Sequence, residues 1–174
     1  DVAFDEDAHH RADYDAEGTA LVFYKMLKRL ASQNYKVISD LDKLISKDEI
    51  YKFGRTYHFN AIVKTKEGLK NLFKIVSLAN TTYLYKTPRI PRSKLNELRE
   101  GILIGSGCSE SEVFMEAKSK DGEELSNIIR FYDYVEVQPP EVYGHLLQTG
   151  DFGNSAELIN HIKKIVDAVE TTGK

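Results

Sequence analysis

Beginning at Tyr57, short apolar runs alternate with amphipathic helical stretches, a rhythm that few architectures accommodate. Residues 57–63 read as a first strand, and Glu67–Ala79 as a helix with Leu69, Leu72, Phe73 and Val76 on one side. An extended stretch around Pro88 and Pro91 leads to a short helix ending before Gly101, with Ser93 as its expected cap. Residues 102–106 (ILIGS) form a continuous apolar strand. Ser109 and Glu112 have the spacing of a capping box, a further helix is expected over roughly 122–131, and 133–138 read as a strand stopped by Pro139-Pro140. Ser155 is placed to cap a long helix that buries Leu158, Ile159, Ile162, Ile165, Val166 and Val169. Strands that are apolar at consecutive positions are covered on both faces, and intervening helices supply crossovers. The pattern therefore predicts an α/β fold of parallel βα units. Three such strands leave two edges unpaired, so the sequence reads as part of something larger.

Upstream the texture differs. Residues 13–32 read as an amphipathic helix with Ala16, Ala20, Phe23, Tyr24, Leu27, Leu30 and Ala31 near one face. Lys25, Lys28 and Arg29 lie towards its C-terminal end, where the helix dipole favours cations. Residues 33–56 are polar and read as a connector, in which Ser39 is placed to cap a short helix carrying Leu41, Leu44 and Ile45.

Bulk properties exclude several classes. No apolar run reaches the ~18 residues of a membrane span, and the acidic start DVAFDEDAHH has no apolar core of a signal peptide. The single cysteine, Cys108, rules out an internal disulfide framework and fits a reducing cytoplasm. A net charge of −3 is not the footprint of a dedicated nucleic-acid-binding module, so any DNA contact would have to come from a local patch. The best such patch is residues 83–99, where Lys86, Arg89, Arg92 and Lys94 are interleaved with Tyr83 and Tyr85. A solvated loop, or arginines pairing with a neighbouring domain, accounts for the same residues.

The words YHFNAIVKTKEGLKNLFKIVSLA (57–79), PRIPRS (88–93), EGILIGSGCSESEVF (100–114) and FYDYVEVQPPEVYGHLL (131–147) recur in order in the PolC-type bacterial replicative DNA polymerases, and the chain resembles an internal piece of that family. The resemblance implies a fragment of the catalytic α-type subunit, with 1–33 the end of a proofreading exonuclease domain, 34–55 a connector, and 56–174 the later segment of a PHP domain. It implies incomplete parallel βα units of a PHP-type distorted barrel, preceded by a C-terminal exonuclease helix. His58 in TYHF and Cys108 in GSGCS then stand at ligand positions of the PHP metal site, where imidazole and thiolate suit Zn²⁺ or Mn²⁺. Glu136 and Gln138 are secondary candidates on the last strand.

Within HHRADYDAEGTA (9–20), His10 and Asp15 resemble the last motif of DEDDh-type 3′–5′ exonucleases. There the histidine is the general base and the aspartate holds catalytic Mg²⁺ or Mn²⁺. The family's other exonuclease carboxylates are not found in this sequence, so the isolated chain is expected to be inactive as an exonuclease. Implied partners are DNA, the remaining polymerase domains and replisome subunits such as a sliding clamp, with no membrane, in the cytoplasm. Two other readings stay open: a non-catalytic scaffold, and a metal-dependent PHP phosphoesterase.

Overall fold

The computed structural model describes residues 12–43 and 49–174, so His10, Leu44 and Ile45 lie outside the described residues. The chain divides after Ile50 into two compact units. In the first, helix α1 (Ala12–Ser32) carries Asp13 and Asp15 in its opening turn and Arg29 in its last, the polarity that the helix dipole favours. None of its residues is buried; Phe23, Tyr24 and Leu27, expected near one face, are all exposed. A 3₁₀ turn spans Ile38–Lys43, where the Asp40 carboxylate accepts the Lys36 and Val37 amides.

The second unit starts within the short helix α2 (Ile50–Phe53). Strand β1 (Asn60–Val63) leads into α3 (Lys66–Asn80), whose cap Thr65 accepts the Gly68 amide. Helix α4 (Arg92–Glu97) precedes strand β2 (Ile102–Gly105). Then come α5 (Glu112–Glu116), α6 (Gly122–Ile129), a 3₁₀ turn over Pro140–Tyr143, α7 (Gly144–Gln148) and α8 (Ser155–Thr172).

The strands correct the expected parallel arrangement. β1 and β2 pair antiparallel, with Asn60 opposite Gly105 and Val63 opposite Ile102. The cause is where the crossover returns the chain. Gly101, in a left-handed conformation (φ +74), lies against the first turn of α3, and its carbonyl accepts the Lys64 amide at 2.8 Å. β2 therefore starts beside the end of β1 and runs back along it. Parallel pairing survives as single bridges, Gly105 with Tyr134 and His58 with Ser111. The strand expected over 133–138 is reduced to that bridge at Tyr134. Its flanks are anchored differently: Asp133 donates its amide to Ile104, while its carboxylate accepts the Ile104 amide and pairs with Arg99.

The core joins Ile102 and Ile104 of β2 to Ile75, Leu95, Val113, Phe114, Leu125, Ile129, Tyr143, Phe152, Leu158, Ile162 and Ile165. α3 buries Gly68, Asn71, Ile75 and Ala79, with Gly68 against Gly101 and the Asn71 side chain donating to the Glu100 carbonyl at 3.1 Å. The opposite side, with Leu69, Phe73 and Val76, stays open; Phe73 is 66% exposed. In α8 the buried face is Leu158, His161, Ile162 and Ile165, leaving Ile159 and Val166 at the surface. Caps also moved. Ser111, not Ser109, accepts the Phe114 amide; Asn154, not Ser155, accepts the Glu157 amide; and α4 starts after Pro91 with no side-chain cap in place of Ser93.

His161 makes stability depend on pH. Its ring lies against Phe114 and Phe152, with Nε2 2.9 Å from the Phe114 carbonyl. Burial lowers its pKa below the ordinary histidine value; the carbonyl opposes this, and Lys118 and Lys164 add to it. Folding thus favours the neutral ring. The resulting stability is complete above the unfolded pKa of roughly 6.5 and is lost as pH falls through the lower folded value. The urea midpoint is expected to drop between roughly pH 7.5 and pH 5, and less so in His161→Gln. An equal drop in both proteins would assign the effect to other groups.

Candidate metal centre

His58 and Cys108 are brought together by loops at opposite ends of the paired strands' sequence. His58 stands two residues before β1, and its amide is held by the Glu110 carbonyl at 3.0 Å. Cys108 follows β2 through Ser106 and Gly107. Gly107 has φ +86, a conformation that residues with side chains rarely adopt, so glycine lets the loop turn there. The loop closes by the Ser111 amide donating to the Cys108 carbonyl at 2.9 Å, before Ser111 caps α5. The result sets His58 Nδ1 3.4 Å from Cys108 Sγ. Two ligands on a tetrahedral zinc, at about 2.0–2.1 Å for nitrogen and 2.3 Å for sulfur, stand about 3.5 Å apart. The pair therefore has the spacing of two adjacent corners of such a site.

Glu110, not singled out by the sequence pattern, completes the surroundings of the ring. Its carboxylate lies 3.0 Å from His58 Nε2, and its amide points at Cys108 Sγ at 3.5 Å. Among the described residues no group of three or more His, Cys, Asp or Glu side chains converges on a common metal position.

The secondary candidates are held elsewhere. Both oxygens of Glu136 accept from Asn60 Nδ2, at 2.7 and 2.8 Å, and the Glu136 amide donates to Ser106 Oγ. Gln138 is exposed, and it is its backbone amide that is used, donated to the Tyr143 hydroxyl at 3.1 Å. Tyr143 was legible only as part of QPPEVY, yet its buried ring stacks on Phe114. Burial raises its pKa, with the charges of Cys108 and Glu136 adding to the effect and the Gln138 amide opposing it. Gly105 passes beneath the Tyr134 ring, where a Cβ would come within 2.3 Å of the ring carbon.

The basic stretch is largely consumed within the unit. Arg89 donates to the Tyr51 and Lys52 carbonyls at 2.8 and 3.0 Å and lies over the Tyr85 ring. Arg92 pairs with Glu112 and covers Phe131, and Lys94 pairs with Glu97. Lys86 lies over Tyr85, in a left-handed backbone conformation. Arg89, Arg92 and Lys94 are thus partnered within the unit itself. Asp15 lies half-buried in the first turn of α1, but His10 lies outside the described residues. One carboxylate does not fit a site for two metal ions.

The mixed helix and strand content fits an α/β fold. The PHP domain family model matches residues 9–169, and the chain belongs to that family. The chain is also similar to three proteins each named DNA polymerase III PolC-type. The one from Staphylococcus haemolyticus is 44% identical over 165 residues, 95% of this chain and 12% of that protein. The one from Bacillus subtilis is 49% identical over 140 residues, 80% of this chain and 10% of that protein. The one from Staphylococcus aureus is 39% identical over 165 residues, again 95% and 12%. The chain thus spans about a tenth of the length of these relatives.

Proposed function

We propose that this chain is a segment of a PolC-type bacterial replicative DNA polymerase, a polypeptide that extends DNA from deoxynucleoside triphosphates and removes mismatched 3′ ends. The observation that carries the reading is identity of 39–49% along most of the chain with proteins of that name, of which it matches only a small part. On this reading residues 1–33 end the embedded exonuclease, 34–55 connect, and 56–174 are the later part of the PHP domain, built as part of a distorted barrel. His10 would serve as exonuclease general base and Asp15 as a ligand of Mg²⁺ or Mn²⁺. DNA, the other polymerase domains and a sliding clamp would be met through the whole polypeptide, in the cytoplasm.

His58 and Cys108 would hold Zn²⁺ or Mn²⁺ in the PHP site, and their 3.4 Å spacing supports a tetrahedral thiolate–imidazole site. When bound, the metal would tie the start of β1 to the loop after β2. The residues themselves orient that loop through the His58 and Ser111 amides.

A second reading, a non-catalytic scaffold, draws on the open apolar side of α3, since such a face suits packing against another domain. The experiment is template-directed primer extension by the full-length polypeptide, alongside the metal content of the 174-residue chain and of its His58→Ala and Cys108→Ser variants. Extension is expected, with bound metal in the parent chain and loss of it in both variants. A full-length polypeptide that extends no primer would sink the polymerase reading. Metal retained in both variants would remove the two ligands.

A further inference from the structure

Glu110 contacts the His58–Cys108 pair in three ways. Its carbonyl accepts the His58 amide at 3.0 Å, its amide faces Cys108 Sγ at 3.5 Å, and its carboxylate lies 3.0 Å from His58 Nε2. The first two contacts are backbone and fix where the two residues start. The third is the only one that depends on the side chain. A carboxylate oxygen and an unprotonated ring nitrogen are both acceptors and repel at 3.0 Å, so this contact is favourable only with the proton on Nε2. A neutral imidazole carrying its proton there has its lone pair on Nδ1, the atom 3.4 Å from Cys108 Sγ.

We propose that Glu110 is a positioning residue. Its carboxylate keeps the His58 proton on Nε2 and the ring turned so that Nδ1 faces Cys108 Sγ, presenting a nitrogen–sulfur pair to a thiophilic divalent cation. Carboxylates commonly orient ligand histidines in this way. Glu110 is not itself a ligand of that pair, because it stands on the other ring nitrogen. The metal-binding part of the proposal rests on the reading of His58 and Cys108 given above; the ring-orienting part does not.

Both side chains are mostly exposed, at 64% for His58 and 69% for Glu110, so truncating Glu110 opens no core. The two backbone contacts survive the change. The test is cobalt(II) titration of the parent chain, Glu110→Ala and Glu110→Asp, read by affinity and by the thiolate-to-cobalt absorption band. Nitrogen-15 spectra of the His58 ring in the metal-free proteins accompany it. Expected are a roughly tenfold weaker affinity in Glu110→Ala with the thiolate band intact, partial recovery in Glu110→Asp, and a shift of ring protonation from Nε2 to a mixture of tautomers in Glu110→Ala. Unchanged cobalt affinity in Glu110→Ala would overturn the role. If the parent shows no thiolate band, the metal reading fails, and the ring spectra decide: a changed tautomer ratio in Glu110→Ala upholds the positioning role, and an unchanged one ends it.

Discussion

Phe114→Ala is expected to lower the unfolding free energy of the chain by about 4 kcal/mol, within the range for truncating a buried aromatic. The residue is almost wholly buried at the meeting of α5, α8 and the loops flanking α7. Its ring stacks on Tyr143 at 4.9 Å between centroids and meets His161 and Phe152 edge-on, at 4.6 and 6.2 Å. Such aromatic pairs add to area burial alone. The substitution leaves a cavity that Tyr143 and Phe152 cannot both collapse into, because the Tyr143 hydroxyl is tied to Gln138. Since whole domains are stable by only about 5–15 kcal/mol, the loss removes a substantial share of the chain's stability. Urea denaturation measures it, with Phe114→Leu as a control that keeps most of the volume and should cost less than about 1.5 kcal/mol. A loss below about 1 kcal/mol in Phe114→Ala would mean that this cluster is not the centre of the core.

How far the sequence foretold this core depends on the element. The long α8 was legible because Leu158, Ile162 and Ile165 recur at helical spacing, and all are buried. Its fourth buried position, His161, was not, because a polar residue enters a helix's buried face only where a tertiary partner awaits it, here the Phe114 carbonyl. For α3 the large apolar residues pointed to one side, yet the small residues Gly68 and Ala79 mark the buried side. Close approach of helix and strand selects small size, and hydropathy does not report it. The caps missed by two residues at α5 and by one at α8 because Ser109, Ser111, Asn154 and Ser155 are all able cap formers, and local spacing does not choose among them.

The site shows the same division. His58 and Cys108 were named from motif words, and the structure brings their side chains together across a sequence gap of fifty residues. Glu110 and Asn60 lie within the same words, which did not single them out. Each owes its place to the loop after β2 or to the register of β1 with β2, which are tertiary facts. The basic stretch was legible as charge, but not its consumption by Glu112, Glu97 and the Tyr51 and Lys52 carbonyls.

Strand direction was the largest miss, and the residue that decides it supplies the second test. Gly68→Ala should destabilise the chain by about 3 kcal/mol, although alanine is favoured over glycine in a helix by about 1 kcal/mol. A Cβ at Gly68 would stand 1.9 Å from the Gly101 carbonyl oxygen and 2.5 Å from its carbon, both backbone atoms that cannot swing away. That same oxygen accepts the Lys64 amide at 2.8 Å, so relieving the clash means breaking the contact that starts the antiparallel pair. Gly101 has little room to shift aside, because a Cβ built on it would itself meet Thr65 Oγ1 at 2.2 Å and the Gly68 amide at 2.7 Å, so the two backbones are already closely packed. Gly144→Ala is the matched control: nothing lies within 4 Å of a Cβ there, so it should be neutral or slightly stabilising. In a structure where β2 ran parallel to β1, the start of β2 would lie at the opposite end of the pair from Gly68, and Gly68→Ala would follow helix propensity and stabilise the chain. The sign of one substitution therefore separates the two topologies, of which the continuous apolar run ILIG pointed to the parallel one.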